Sequence, residues 1–146
     1  MPTVEVEMTV PGPPDRVMAL LADMERFPAF MANLESVTVR ERGEGYTISE
    51  WVARLQGARF RWVERDEFGA DRITFRQVEG DLRRFEGEWV VEPAEGGTRV
   101  RFVTTFEFGM PMLATLLNPV AKIALRENGR AMLAAIAAEL AREGSA

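Results

Sequence analysis

Glu64 and Asp66 sit two residues apart in the segment Arg59 to Phe68, so an extended chain sends both carboxyls to one face. Carboxyl pairs of this kind serve acid–base catalysis, one proton being held more tightly than the other. In a chain so rich in arginine the same pair also reads as ion-pair partners, which is the expectation. Arg65 lies between them and Arg76 on the next segment. Each can bind a carboxylate, phenolate or carbonyl oxygen through its planar fork. The expectation is again plainer: an exposed cross-strand ladder with Glu50, Glu64 or Glu88. The other usual reactive groups are missing outright. None of the 146 residues is Cys or His. That excludes disulfides, thiolate nucleophiles, zinc fingers and imidazole as base or metal ligand. A carboxylate-only site for Mg²⁺ or Ca²⁺ stays open, but no metal or cofactor is expected. Catalytic residues are unassigned, with Arg65 and Arg76 as the candidates.

The elements that must position these groups fit one domain, because 146 residues is near the modal domain size. The hydrophobic fraction of 47% and charged fraction of 28% are those of a soluble globular chain. A net charge of -5 argues against a nucleic-acid partner. Of 18 basic residues only Lys122 is lysine, a bias that suits bidentate recognition and equally suits a genome-wide composition. No apolar run reaches the ~18 residues of a membrane span, and no signal peptide is read at the start, so stable membrane insertion is not expected and the expected location is the cytoplasm.

Thr3 to Val10 alternates as a strand with one wet face, and Pro11-Gly12-Pro13-Pro14 ends it. From Asp15 the period becomes helical through Val17, Leu20, Leu21 and Met24, with a second short helix at Phe27 to Met31. Six strands follow: Leu34 to Arg42, Tyr46 to Gln56, Arg59 to Phe68, Arg72 to Val78, Leu82 to Glu92 and Thr98 to Phe108. Their short connections require antiparallel hairpins. Met110 to Asn118 reads as an apolar connector. Asn118-Pro119 reads as the start of a long helix to about Arg142, on the order of 36 Å at the usual rise. Its apolar stripe includes Ala121, Leu125, Met132, Ala135, Ile136 and Leu140, with Asn128 inside the stripe and Gly129 marking a bend or a close approach. A one-faced antiparallel sheet needs a cover, and only the long helix is large enough. The fold class is therefore α+β: a curved seven-stranded antiparallel sheet wrapped round a C-terminal helix in a helix grip, residues 1–146.

Particular segments carry a family resemblance: Val10-Pro11-Gly12-Pro13-Pro14, Ala22-Asp23-Met24-Glu25-Arg26-Phe27-Pro28, Arg72 to Gln77, Gly80 to Trp89, and Gly96-Gly97-Thr98-Arg99-Val100. Together the chain resembles the polyketide cyclase/dehydrase and coenzyme-Q-binding branch of the START/birch-pollen-allergen-like (SRPBCC) superfamily. The resemblance implies a deep apolar cavity between sheet and helix that holds a hydrophobic small molecule. Arg61-Trp62-Val63-Glu64-Arg65 is similar to the aromatase strand that ends in a functional arginine, which places that role at Arg65 and a second at Arg76. Where aromatases carry an aromatic and a small hydroxyl residue this chain has Arg61 and Val63, and Phe30 stands where many members carry tyrosine.

The candidate cavity wall is Trp51, Phe60, Trp62, Phe75, Phe85, Trp89, Phe102 and Phe106, with Asn128 and Met132 from the helix. Met18, Met112 and Met132 suit a pliable apolar wall. Asn128 needs a hydrogen-bond partner, which is a ligand oxygen, a water or a backbone carbonyl. Met110 to Asn118 and Phe27 to Met31 together read as a gate. The expected function is binding of a lipid, quinone or polyketide-like aromatic. The alternatives are a polyketide aromatase/cyclase or dehydrase using cavity arginines, and a coenzyme-Q-binding-type module acting through protein partners. A monomer or homodimer is expected.

Overall fold

The computed structural model describes residues 2–55 and 57–144. Among them seven strands form one antiparallel sheet: β1 (Thr3–Val10), β2 (Leu34–Gly43), β3 (Tyr46–Leu55), β4 (Ala58–Phe68), β5 (Arg72–Glu79), β6 (Arg84–Ala94) and β7 (Gly97–Glu107). Gln56, the expected end of the third strand, lies outside the described residues. β2 to β7 run as an up-and-down meander, and β1 returns to pair with β7, giving the order β1-β7-β6-β5-β4-β3-β2. Between β1 and β2 stand α1 (Pro14–Ala22), a 3-10 turn (Met24–Arg26) and α2 (Phe27–Phe30). Helix α3 (Pro111–Gly144) closes the grip. The expected fold class and element order are those observed.

Alternation decides which face of each strand is buried. In β7, Val100, Phe102, Thr104 and Phe106 are buried, and the intervening residues are half-buried on the outer side. The outer face carries the arginines, most of them paired across strands: Arg72 with Glu88 at 3.0 Å, Arg101 with Glu5 at 3.0 Å, and Arg40 with Glu50 at 2.5 Å. Exposed pairs of this kind each contribute at most about 1 kcal/mol. They keep the outer face wet and leave the sheet to be held from within. Gly87 helps the sheet coil: a Cβ there would lie 1.9 Å from the Val103 carbonyl oxygen and 2.8 Å from the Phe75 ring. Phe75 and Gly87 are cross-strand partners, so the missing side chain is the room the ring occupies.

α3 differs from its expected form. It begins at Pro111, eight residues before the Asn118-Pro119 start expected from the sequence, so the apolar connector is helix and Pro119 lies inside it. Pro111 fits the first turn because it lacks only an N–H that has no intrahelical partner there. Thirty-four residues make a helix of about 50 Å. Only its second half enters the core, through Gly129, Met132, Leu133, Ile136 and Leu140. Gly129 is the closest approach: an added Cβ would meet Val6 Cγ2 at 2.9 Å and Phe102 Cδ2 at 3.4 Å. The first half stands off, with Met112 83% and Leu116 73% exposed. Met112 therefore points to solvent, unlike the cavity-wall role expected for it, while Met18 packs against the core. No helix among the described residues is long and apolar enough to cross a membrane.

An ionic clamp fixes the far end of α3. Arg26 donates to Glu139 at 2.7 Å and to Glu143 at 2.9 Å, and Arg142 donates to Glu139 at 2.7 Å. Arg142 and Arg26 hold the Glu139 carboxyl below its ordinary range, and Arg26 and Arg16 do the same for Glu143. The expected gate segment Phe27 to Met31 is a structural element. Phe27 and Met31 are fully buried, so this segment is anchored in the core at both ends while Ala29 between them is exposed. Replacing Gly129 with valine should lower unfolding free energy by about 1–3 kcal/mol in urea denaturation, because the branched side chain drives α3 off β1 and β7. Unchanged stability would mean α3 does not seat on the sheet at this point.

Candidate functional site

The half of α3 that stands off leaves a cavity of about 560 Å³ between helix and sheet. That lies within the ~300–1,000 Å³ range of small-molecule sites. Its wall is built from aromatic side chains on the inner parity of β3 to β7. Six of them, with Phe27 of α2 behind the wall, form a closed circuit of neighbouring rings: Phe27–Trp51 at 6.0 Å between centroids, Trp51–Trp62 at 5.8 Å, Trp62–Phe85 at 5.4 Å, Phe85–Phe75 at 5.7 Å, Phe75–Phe102 at 6.0 Å, Phe102–Trp89 at 3.9 Å, and Trp89–Phe27 at 6.4 Å. Rings locked to one another this way hold the cavity open, because no single ring can swing in without leaving two neighbours. Phe27 is the only one of the seven from the helical segment, and it is the one residue of α2 that is fully buried.

All ten side chains expected on the cavity wall line it: six of the seven circuit rings (Phe27 excepted), Phe60, Phe106, Asn128 and Met132. Phe60 is 43% exposed and stands at the mouth, with Leu113 and Leu117 of α3 on the opposite side. The mouth thus lies between the β3–β4 hairpin, the residues Asp81 and Leu82, and the first turns of α3. Among protein groups Asn128 pairs with side chains and not with the backbone carbonyl expected as one of its three possible partners. Its Oδ1 accepts from Asn33 Nδ2, and its own Nδ2 lies 3.5 Å from Met132 Sδ. This pair ties α3 to the turn before β2.

The arginines lie elsewhere. Arg65 and Arg76 are direct partners in the β4–β5 register, and both line an open groove on the outer face of the sheet. Arg65 donates to Glu67 at 3.0 Å and lies 3.9 Å over the Tyr46 ring. Neither is among the residues that line the cavity between sheet and helix.

The chemistry on the cavity side comes from a group the sequence undervalued. Glu64 and Asp66 do not join the arginine ladder; they are 4% and 0% exposed. The β3–β4 register stacks three inward cross-strand pairs: Trp51 with Trp62, Ser49 with Glu64, and Thr47 with Asp66. Thr47 Oγ1 donates to Asp66 Oδ2 at 2.8 Å and Ser49 Oγ at 2.5 Å. Trp51 Nε1 donates to Ser49 Oγ and Trp62 Nε1 to Glu64 Oε1, each at 2.8 Å. Asp66 Oδ1 is buried with no partner. Burial pushes the Glu64 carboxyl well above the usual carboxylate range, and the adjoining Asp66 carboxyl pushes it further; the Trp62 indole opposes this only in part. Thr47, Ser49, Glu64 and Asp66 were legible as same-parity neighbours of Trp51 and Trp62.

Residues 10–133 match the sequence profile of the family described as polyketide cyclase / dehydrase and lipid transport. The chain belongs to that family. Among solved structures, the polyketide cyclase/dehydrase family member here is similar to TTHA0849 from Thermus thermophilus, at 33% identity over 97% of this chain and 99% of that one, with a TM-score of 0.90. It shares its fold with the Zhui aromatase/cyclase from Streptomyces sp. R1128, at 22% identity over 97% and 94% of the two chains and a TM-score of 0.88. It likewise shares the fold of a START superfamily protein from Mycobacterium smegmatis, at 15% identity over 96% and 97% and a TM-score of 0.83. No curated protein matches the sequence.

The buried acid makes a prediction about stability. Its proton is held more tightly folded than unfolded, so Glu64's contribution is fully present below the ordinary value of 4.5 and is lost as pH rises through its raised pKa. The Glu139–Glu143 clamp acts in the opposite sense, so the two are separated by difference. Thermal melts of wild type and Glu64→Gln should show wild type losing ground steadily as pH rises from the carboxylate range. A difference that does not vary with pH contradicts this account of Glu64.

Proposed function

We propose that the chain binds a hydrophobic small molecule, such as a lipid, quinone or polyketide-like aromatic, in the cavity between the sheet and α3. The observation that carries this reading is the 560 Å³ chamber with its locked aromatic wall. An apolar ligand gains roughly 25 cal/mol for each Å² it removes from water. Rings already fixed in place lose little further entropy when the ligand seats. Met132 and Leu125 from α3 supply an unbranched and a branched apolar contact on the opposite side.

A second reading, cyclisation or dehydration of a polyketide in the same chamber, draws support from the family description and from the relative described as an aromatase/cyclase. Arg65 and Arg76, the candidates for that chemistry, lie on the outer face. In that reading the polar work falls to groups on the cavity wall.

The binding reading is tested with N-phenylnaphthylamine, a neutral fluorophore that brightens in apolar surroundings. Wild type should bind it with saturable enhancement. Ala124→Phe, which projects a ring from α3 into the chamber, should weaken binding at least about tenfold while far-UV dichroism stays native. Equal binding by both proteins would place the ligand elsewhere.

A further inference from the structure

The chamber is apolar except for a small set of groups, and of these Glu64 is set deepest. Asp81 and Arg61 also line the cavity, and Asp81 stands with Leu82 at the mouth. Arg61 is turned to Glu50 and Glu79 on the outer side. Gln77, opposite Glu64 in the β4–β5 register, donates to the Leu82 carbonyl at 2.6 Å. Asn128 is engaged by Asn33. On α3, the element facing Glu64 across the chamber, the residues that line the wall carry no charge. From β3 the neighbours are Ser49 and Thr47, both committed to Asp66. Among the described residues Asp66 is therefore the one titratable group beside Glu64, and its Oδ1 is a buried acceptor with no donor. A buried acceptor next to a second carboxyl, with no cation packed against either, calls for a shared proton. Trp62 Nε1–H occupies Glu64 Oε1 and fixes the carboxyl's orientation on the cavity wall.

We propose that Glu64 is the polar anchor of the chamber, a neutral carboxylic acid whose O–H is offered to the carbonyl oxygen of an uncharged aromatic ketone or quinone. The inference rests on the ligand-binding reading and narrows it to a chemical class. Arg61, the one cation among the described lining residues, is paired with Glu50 and Glu79, so an anionic ligand head finds no free cation here, and a plain hydrocarbon leaves the acid without a second use. In the empty chamber the proton bridges to Asp66 Oδ1. A ligand carbonyl competes for that proton or accepts from Glu64 while Asp66 keeps Thr47 and Ser49. The raised affinity of Glu64 for its proton agrees with this arrangement.

Two probes separate the anchor from the chamber: the naphthyl ketone prodan, whose emission shifts red when its carbonyl accepts a hydrogen bond, and N-phenylnaphthylamine, which has no carbonyl. Glu64→Leu should weaken prodan binding about tenfold, the worth of one buried hydrogen bond, and change N-phenylnaphthylamine binding by a much smaller factor. Glu64→Gln keeps a donor, so it should retain prodan affinity. Wild-type prodan affinity should fall as pH rises through the Glu64 pKa, and that of Glu64→Gln should stay flat. Infrared difference spectra between wild type and Glu64→Gln at neutral pH should show a protonated-carboxyl stretch that shifts when prodan binds. Loss of both probes' binding to the same degree in Glu64→Leu, or an infrared difference with no protonated carboxyl, overturns the anchor even where N-phenylnaphthylamine fills the chamber. If neither probe binds wild type, the ligand-binding reading falls and the anchor falls with it.

Discussion

Where α3 touches the sheet decides what becomes core and what becomes cavity. The contact is at Gly129, which rests on Val6 of β1 and Phe102 of β7 without a side chain of its own. From there toward the C-terminus the helix buries Met132, Leu133, Ile136 and Leu140 and is clamped by Arg26 through Glu139 and Glu143. Toward the N-terminus the same helix stands off the sheet, with Met112 and Leu116 exposed. A helix about 50 Å long cannot follow a concave surface built from strands of ~27–37 Å. The space it leaves would collapse if its walls were single flexible side chains. The ring circuit from Phe27 through Trp51, Trp62, Phe85, Phe75, Phe102 and Trp89 prevents that.

The second constraint is electrostatic. Two carboxyls on the inner face of β4 are cut off from the arginines by the sheet itself, because alternation sends every cation of that strand outward. An unpaired buried carboxylate costs several kcal/mol, more than one hydroxyl or indole hydrogen bond returns. For Glu64 the raised pKa lowers that cost, and hydrogen bonds from Thr47 and Ser49 to Asp66 and from Trp62 to Glu64 complete the network. The inner face of β4 thus carries carboxyls, hydroxyls and indoles without a cation against Glu64 or Asp66, which sets it apart from the arginine-rich outer face only one sheet thickness away.

The element order was readable because the hydrophobic period changes from two to 3.6 and back at proline and glycine turns. The placement of Arg65 and Arg76 outside followed from the same alternation. The start of α3 was hidden because Met110 to Asn118 is apolar on every side and carries Pro111, with Pro119 directly after it. An all-round apolar segment gives no helical stripe, and an interior proline reads as a beginning. Burial of Glu64 and Asp66 was written in their parity with Trp62. The general tendency of carboxylates to find arginines masked it, and only the β3–β4 register shows that no arginine can reach that face. The burial of Phe27 within the expected gate segment was not legible because two of its three ring contacts, Trp51 and Trp89, lie far along the chain.

The central claim is that the space between the first half of α3 and the sheet is a ligand chamber. Intermolecular NOEs between N-phenylnaphthylamine and the methyl groups of the labelled protein test it most directly. The account predicts contacts to Leu34, Leu125 and Met132, which line the chamber, and none to Met112 or Ile123, which face solvent. Contacts confined to Met112, Leu116 and Ile123 would contradict it, and would make the outer surface of α3 the binding site.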